Sequence, residues 1–293
     1  MQPQAIAGRV WPGRPAEIEA LGGGITNHNF KVTVGGEAFV LRIGGKDTDL
    51  LGIDRTDEYQ ASAVAAALGV GPPVVAFLEP EGYLVTRFLE GRPIPVGEMR
   101  RPETIARVAE TLRRVHGGPP IPGRFDSFRV VERYATTARE HGVTVPEAYA
   151  EAKERADTIE RLRGPQPERP CHNDLLNANF LDDDGRIRIV DWEYAGMGDV
   201  FFDLANFSVN HELDASGNEA LLAAYLGDPG PRERAALALM RFMSDFREAM
   251  WGVVQQGISE LDFDFEAYAS EHFERLGRTA AEPAFGEALR AFA

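Results

Sequence analysis

The sequence predicts an α+β fold in two parts: a small antiparallel-sheet lobe over residues 1–89, then a larger, mainly helical lobe over residues 90–293. Three observations predict it. Short β-type runs separated by glycine turns crowd the first part. Gly91, Pro93 and Pro95 interrupt both periodicities at the junction. Beyond the junction, apolar residues recur at helical spacing. At 293 residues the chain can bury a full core, as one large domain or as two lobes.

Taken in order, a glycine-rich stretch over 21–27 leads into a strand over 29–34. Gly35-Gly36 then turns the chain into a second strand over 38–43, the pattern of a hairpin. A helix is expected over 54–68, because Asp54 can cap its start and Gly69 can stop it. Asp57 and Glu58 in its first turns favour the positive end of the helix dipole. Residues 74–77 and 83–88 read as two further short strands. In the second part Ile105, Val108, Ala109, Leu112 and Val115 share one helical face. Residues 119–124 read as a loop, and helical periodicity returns over 149–162 and 232–256. There is no internal repeat and no low-complexity tract.

Thirty-one basic against 46 acidic residues give a net charge of −15, which disfavours nucleic acid and anionic membranes as partners. That charge is compatible with a cationic small substrate. A single cysteine rules out an internal disulfide framework and suits a reducing compartment. Residues 1–14 carry no apolar signal core, and no run approaches the roughly 18 apolar residues of a membrane span. The expectation is a cytoplasmic protein with no membrane and no nucleic-acid partner, and with a homodimer allowed.

The most informative stretch is Cys171-His172-Asn173-Asp174-Leu175-Leu176-Asn177-Ala178-Asn179-Phe180, followed by Ile187-Arg188-Ile189-Val190-Asp191-Trp192-Glu193. It contains His-x-Asp-x-x-x-x-Asn and then an aspartate twelve residues beyond the last asparagine. That spacing is how kinases arrange a catalytic carboxylate and two magnesium ligands around ATP. Asp174 would accept the proton of the substrate hydroxyl. Asn179 and Asp191 offer the hard oxygen donors that Mg2+ prefers. Asp183-Asp184-Gly185 is expected to close the intervening hairpin as a three-residue loop, with Asn179 opposite Ile189. In that register Asn179, Leu181, Ile187, Ile189 and Asp191 share one face; a two-residue turn would separate the two metal candidates. His172 reads as a scaffold residue and Cys171 as an inert core thiol.

Together with Tyr194-Ala195-Gly196-Met197 and Asp203-Leu204-Ala205-Asn206, this segment resembles the choline and ethanolamine kinases, within the aminoglycoside phosphotransferase superfamily. The resemblance runs from about residue 20 to about residue 275. It implies a protein-kinase-like two-lobe fold, with ATP and Mg2+ as cofactors. By the same resemblance Asp174 is the catalytic base, and Asn179 and Asp191 bind magnesium. Gly23, Gly24, Thr26 and Asn27 would bring backbone amides close to phosphates. Arg42 sits where that fold carries a cation for the α- and β-phosphates, with Glu58 as its ion-pair partner and Asp57 as the rival. Backbone groups from Arg87 to Leu89 would meet adenine, and Asp203 would tether the catalytic loop. The protein-kinase motifs Ala-Pro-Glu and Asp-Phe-Gly do not occur.

Glu193, Tyr194 and Trp251 are the expected acceptor-binding residues. A quaternary ammonium has no N–H to donate, so aromatic faces and nearby carboxylates must hold it. Residues 249–255 resemble the choline-kinase helix that carries cation-binding tryptophans. Trp251 matches the first, and Val254 stands where many eukaryotic members have a second. Phe246 on the same helix is open to either a core or an acceptor role. The expected function is phosphorylation of the hydroxyl of choline or a related amino alcohol. The competing readings are an aminoglycoside or thiamine phosphotransferase and a non-catalytic nucleotide-binding module. Intact Asp174, Asn179, Asp191 and Arg42 oppose the last.

Overall fold

A computed structural model describes residues 2–22 and 27–293. Helix α1 (Pro3–Val10) precedes strands β1 (Glu17–Leu21), β2 (Asn27–Val34) and β3 (Glu37–Gly44), then helix α2 (Arg55–Ala67) and strands β4 (Val74–Leu78) and β5 (Tyr83–Arg87). The strands form one antiparallel sheet in the order β1-β2-β3-β5-β4. Gly35 and Gly36 join β2 to β3 with φ of 61° and 83°, the two left-handed residues of a tight hairpin. Alternation then turns Val32, Val34, Phe39 and Leu41 onto one face, where they bury Ile6 and Ala7 of α1 and Trp11 just beyond it. Arg42 consequently points from the other face. Asp54 caps α2 by accepting from the Thr56 and Asp57 amides, and Gly69, at φ 67°, ends it.

The second part begins with β6 (Arg92–Pro93), α3 (Val96–Met99), α4 (Pro102–His116), α5 (Ser127–Glu140) and α6 (Ala148–Arg163). Four short strands follow: β7 (Glu168–Cys171), β8 (Phe180–Asp183), β9 (Arg186–Ile189) and β10 (Gly196–Asp199). Helices α7 (Val200–Asn210), α8 (Ala215–Leu226), α9 (Pro231–Ile258), α10 (Phe265–Ala281) and α11 (Pro283–Arg290) complete the chain. The predicted apolar face of α4 is buried throughout. Helix α9 is buried almost without interruption from Ala235 to Gln255, because α5, α7, α10 and α11 pack around it. The charged residues it carries must therefore find partners in the interior. No helix among the described residues is long and apolar enough to cross a membrane.

One expectation gains detail and one needs correction. Residues 90–95 do more than break periodicity: β6 adds to the edge of the β8–β9 hairpin, pairing Arg92 with Asp182. The hairpin itself turns on two residues, not three. Phe180 pairs with Ile189 and Asp183 with Arg186, leaving Asp184-Gly185 at φ 48° and 82° as the loop. Asp-Gly is among the best dipeptides for this turn, and placing Asp183 in the loop overlooked that. Asn179 therefore lies opposite Val190, whose amide donates to the Asn179 carbonyl at 3.0 Å. The shared-face argument does not apply, because neither metal candidate occupies regular strand. Asn179 ends a 3-10 turn, and Asp191 has φ 67°.

Candidate active site

The catalytic loop leaves β7 at Cys171 and is held from below by α7. Asp203 is fully buried and accepts from the His172 amide at 2.8 Å, the Asn173 amide at 2.7 Å and His116 Nε2 at 3.0 Å. Three residues on, and so on the same face of α7, Asn206 Oδ1 accepts from the Leu175 amide at 2.6 Å. His172 serves as scaffold: its Nδ1 accepts from the Asp174 amide at 3.3 Å, and its Nε2 donates to the Val190 carbonyl at 3.0 Å. Those bonds call for the neutral ring, and burial lowers its pKa accordingly. Asn173 adopts the left-handed conformation at φ 66°, with its side-chain Nδ2 donating to the Tyr194 carbonyl at 3.0 Å. Cys171 is buried, and desolvation pushes its thiol up, so it is inert.

Asp174 stands at the end of this loop. Asn179 Nδ2 donates to the Asp174 carbonyl at 2.9 Å and approaches its Oδ2 at 3.4 Å. Arg247 Nη1 lies 3.3 Å from Oδ1. Burial pushes the Asp174 carboxyl up to about 7, with Arg247 opposing and Glu248 and Asp191 adding to the rise. A carboxylate poised near neutrality is suited to accepting a proton.

Asp191, just past β9, accepts from Arg42 Nη1, which also donates to Glu58 Oε1 at 2.8 Å. Burial works to raise the Asp191 carboxyl, but Arg42 holds it below the ordinary range. Asp57 faces Gly123 and Arg124 instead, so Glu58 is the partner of Arg42. Glu58 Oε2 takes Arg55 at 2.6 Å, and Arg55 continues to Glu193 at 3.1 Å and to Asn27 Oδ1 at 2.9 Å. Asn27 Nδ2 closes the chain by donating to Glu193 at 2.8 Å. Burial, and then Asp191, push the Glu193 carboxyl up to about 7. Among the described residues, Asp191 Oδ2 and Asn179 Oδ1 have no hydrogen-bond partner, and the Asp191 side chain is 24% exposed. Two free hard oxygens near Asp174 fit a divalent magnesium ion.

On the expected nucleotide side, Gly23, Gly24 and Thr26 lie outside the described residues. Asn27 uses its side chain within the ion network. The Arg87 amide donates to the Pro73 carbonyl at 2.8 Å and the Phe88 amide to Ala38 at 3.0 Å, so both are committed inside the sheet. The Arg87 side chain pairs with Glu37. Of the three hinge residues, Leu89 alone has an amide with no backbone partner among the described residues.

On the expected acceptor side, Trp251 Nε1 donates to the Tyr194 hydroxyl at 3.1 Å, and its indole meets the rings of Phe265 and Tyr268 near edge-on. Arg247 lies over the Tyr194 ring, 4.5 Å from its centroid, and pairs with Glu248, which takes the Tyr268 hydroxyl at 2.8 Å. Glu193 does not join Tyr194 and Trp251; its carboxylate turns toward Arg55 and Asn27. Phe246 is a core residue, packed on Tyr149, Phe242 and Phe273. Trp192 is also core, with its N–H on the Ile189 carbonyl and its ring against His172. Sequence reasoning missed Arg55 and Arg247. The available signal was spacing: Arg247 lies one turn before Trp251, and Arg55 three residues before Glu58.

The model of the phosphotransferase enzyme family matches residues 17–237. The solved structure of a choline/ethanolamine kinase family protein from Mesorhizobium loti is 32% identical, with a TM-score of 0.84 over 99% of this chain and 98% of that one. Ethanolamine kinase 2 of Rattus norvegicus is 26% identical over 273 residues, 82% of this chain and 69% of that protein. A structure of LicA in complex with AMP shares the fold, with a TM-score of 0.76 at 22% identity over 99% of this chain and 97% of that one.

Proposed function

Because the chain belongs to the choline/ethanolamine kinase family of phosphotransferases, we propose that it transfers the γ-phosphoryl group of ATP to the hydroxyl of choline or a related amino alcohol. The observation that carries this reading is the convergence of Asp174 and Asn179 from the loop after β7, Asp191 from just past β9 and Arg42 from β3. Asp174 orients the acceptor hydroxyl and takes its proton as the O–P bond forms. Asn179 and Asp191 would hold Mg2+, which neutralises phosphate charge when bound. Arg42, fixed by Glu58, presents its guanidinium to the phosphates. Leu89 offers its amide to adenine; the AMP bound by LicA, a protein of the same fold, supports an adenine nucleotide. In this reading residues 1–89 form the nucleotide lobe and residues 90–293 the catalytic and acceptor lobe, in a cytoplasmic enzyme.

The acceptor class rests on Tyr194 and Trp251 and on relatives named for choline and ethanolamine. ATP turnover with Mg2+ across choline, ethanolamine, thiamine and an aminoglycoside tests it. Stimulation by an amino alcohol well above the water background is expected. Stimulation by none of the four would refute the reading, and stimulation by the aminoglycoside alone would move the acceptor class.

A further inference from the structure

In the expected acceptor half of the site, a cation of the chain itself lies over Tyr194, one of the aromatic rings expected to hold an ammonium headgroup. Arg247 is 1% exposed, and its guanidinium carbon lies 4.5 Å from the centroid of the Tyr194 ring. Its Nη1 reaches Asp174 Oδ1 at 3.3 Å and also pairs with Glu248 Oε1. The other Glu248 oxygen accepts from the Tyr268 hydroxyl at 2.8 Å. A buried guanidinium over an aromatic face, bracketed by two carboxylates, has the surroundings that recognise a quaternary ammonium.

That arrangement changes what these residues can hold. A trimethylated nitrogen is bound by aromatic faces and by diffuse attraction to charge, since it has nothing to donate. The Tyr194 face is taken, the indole N–H of Trp251 is committed to the Tyr194 hydroxyl, and Val254 offers no second indole. Oxygen acceptors remain: the Tyr194 hydroxyl and the carboxylates of Asp174 and Glu248. With Arg247 they sum to a single negative charge. They attract a cation and reward one that carries N–H donors. A second observation points to a ligand here. Arg247 Nε and Nη2 are buried with no partner among the described residues, an arrangement that is costly until an oxygen completes it. The hydroxyl of an acceptor seated beside Asp174 supplies such an oxygen.

We propose that Arg247 is a specificity-determining residue: it fills the aromatic cation seat, so the favoured acceptor is an amino alcohol whose ammonium carries N–H donors, and full methylation is disfavoured. This rests on the phosphotransferase reading of the same site. The test is a methylation series (ethanolamine, its N-methyl and N,N-dimethyl derivatives, and choline) titrated calorimetrically into wild type and into Arg247→Met. In wild type the affinity is expected to fall with each methyl, by about tenfold or more across the series, as hydrogen bonds are lost. In Arg247→Met, which opens the Tyr194 face and removes the competing charge, choline should bind at least as tightly as ethanolamine. Wild type binding choline as tightly as ethanolamine, an unchanged order in the variant, or no binding of any member would each overturn the proposal. Should Arg247→Met fail to fold, the wild-type series and Arg247→Lys, expected to weaken the preference, decide the matter. Turnover of the same four compounds with ATP and Mg2+ is read separately. Ordered binding without phosphorylation would sink the kinase reading and leave the role of Arg247 standing.

Discussion

Replacing Asp203 with Asn perturbs the catalytic loop without touching a reacting group. Asp203 accepts three hydrogen bonds, from the His172 and Asn173 amides and from His116, in a fully buried position. Asparagine keeps the shape but can accept at only one atom, and it turns an NH2 toward at least one of those donors. A hydrogen bond to a charged group contributes about 1.5–3 kcal/mol, and leaving a buried donor unpaired adds to the loss. A destabilisation of about 3 kcal/mol follows, or about 6 °C in melting temperature for a chain of this size. The loop should also shift, and a displacement of about 1 Å at a catalytic group can lower kcat about a hundredfold. The KM for ATP should barely move, since Arg42, Glu58 and Asp191 do not contact Asp203. Differential scanning calorimetry and steady-state kinetics read the two effects, with His116→Gln as the control that spares both loop amides. A variant with the expected stability loss but wild-type kcat would refute the loop-holding role, and wild-type values for both would refute the energetics as well.

Asp174→Asn should lower kcat by about 10²–10⁴-fold while ATP binding, followed by fluorescence titration, stays intact. Equal activity would remove Asp174 as the base. Arg42→Met leaves Asp191 without its cation and Glu58 with Arg55 alone, so both the affinity for ATP and the melting temperature should fall; an unchanged ATP affinity would exclude Arg42 from the phosphate site. His211 is buried, with Nδ1 donating to the Phe207 carbonyl and Nε2 without a partner among the described residues, and burial lowers its pKa to about 4. The unfolded chain takes up that proton first as pH falls, so the contribution of His211 to stability is present above about pH 6.5 and is lost down to about pH 4. The full loss is about 3 kcal/mol, and chemical denaturation of His211→Phe should show a correspondingly flatter acid limb than wild type.

Much of this was legible in the sequence because it is local. Asp54 before a helix and Gly69 after it, Gly35-Gly36 between strands, and the apolar face from Ile105 to Val115 all state their structure within a few residues. The His-x-Asp-x-x-x-x-Asn motif was readable for the same reason, since its spacing is local in the chain. What stayed hidden depends on burial. Helix α5 carries Tyr134 and Val131 into the core yet begins after a loop whose only signal is the Asp126 cap. Helix α10 carries a readable apolar stripe in Phe265, Ala269, Phe273 and Leu276, but nothing in the sequence says that this face meets α9. The hairpin shows a subtler failure. A wrong loop length led to a shared face for Asn179 and Asp191, and their convergence instead comes from a 3-10 turn and one left-handed aspartate outside the ladder.

The same distinction governs the charges. An acidic chain with aromatics near its motif suggests open carboxylates awaiting a cation, but sequence gives the sign of a charge and not its partner. Around the base and the metal candidates, Glu58, Asp174, Asp191, Glu193 and Glu248 face Arg42, Arg55 and Arg247, leaving a net charge of −2 in a largely buried cluster. Each arginine touches two carboxylates, so no acid in the group stands alone. The residual imbalance falls on Asp174 and Glu193, whose carboxyls burial pushes up to about 7. One divalent cation on the free oxygens of Asn179 and Asp191 would cancel it. The network's own arginines therefore fix its geometry, while a divalent cation on those two oxygens would complete its charge.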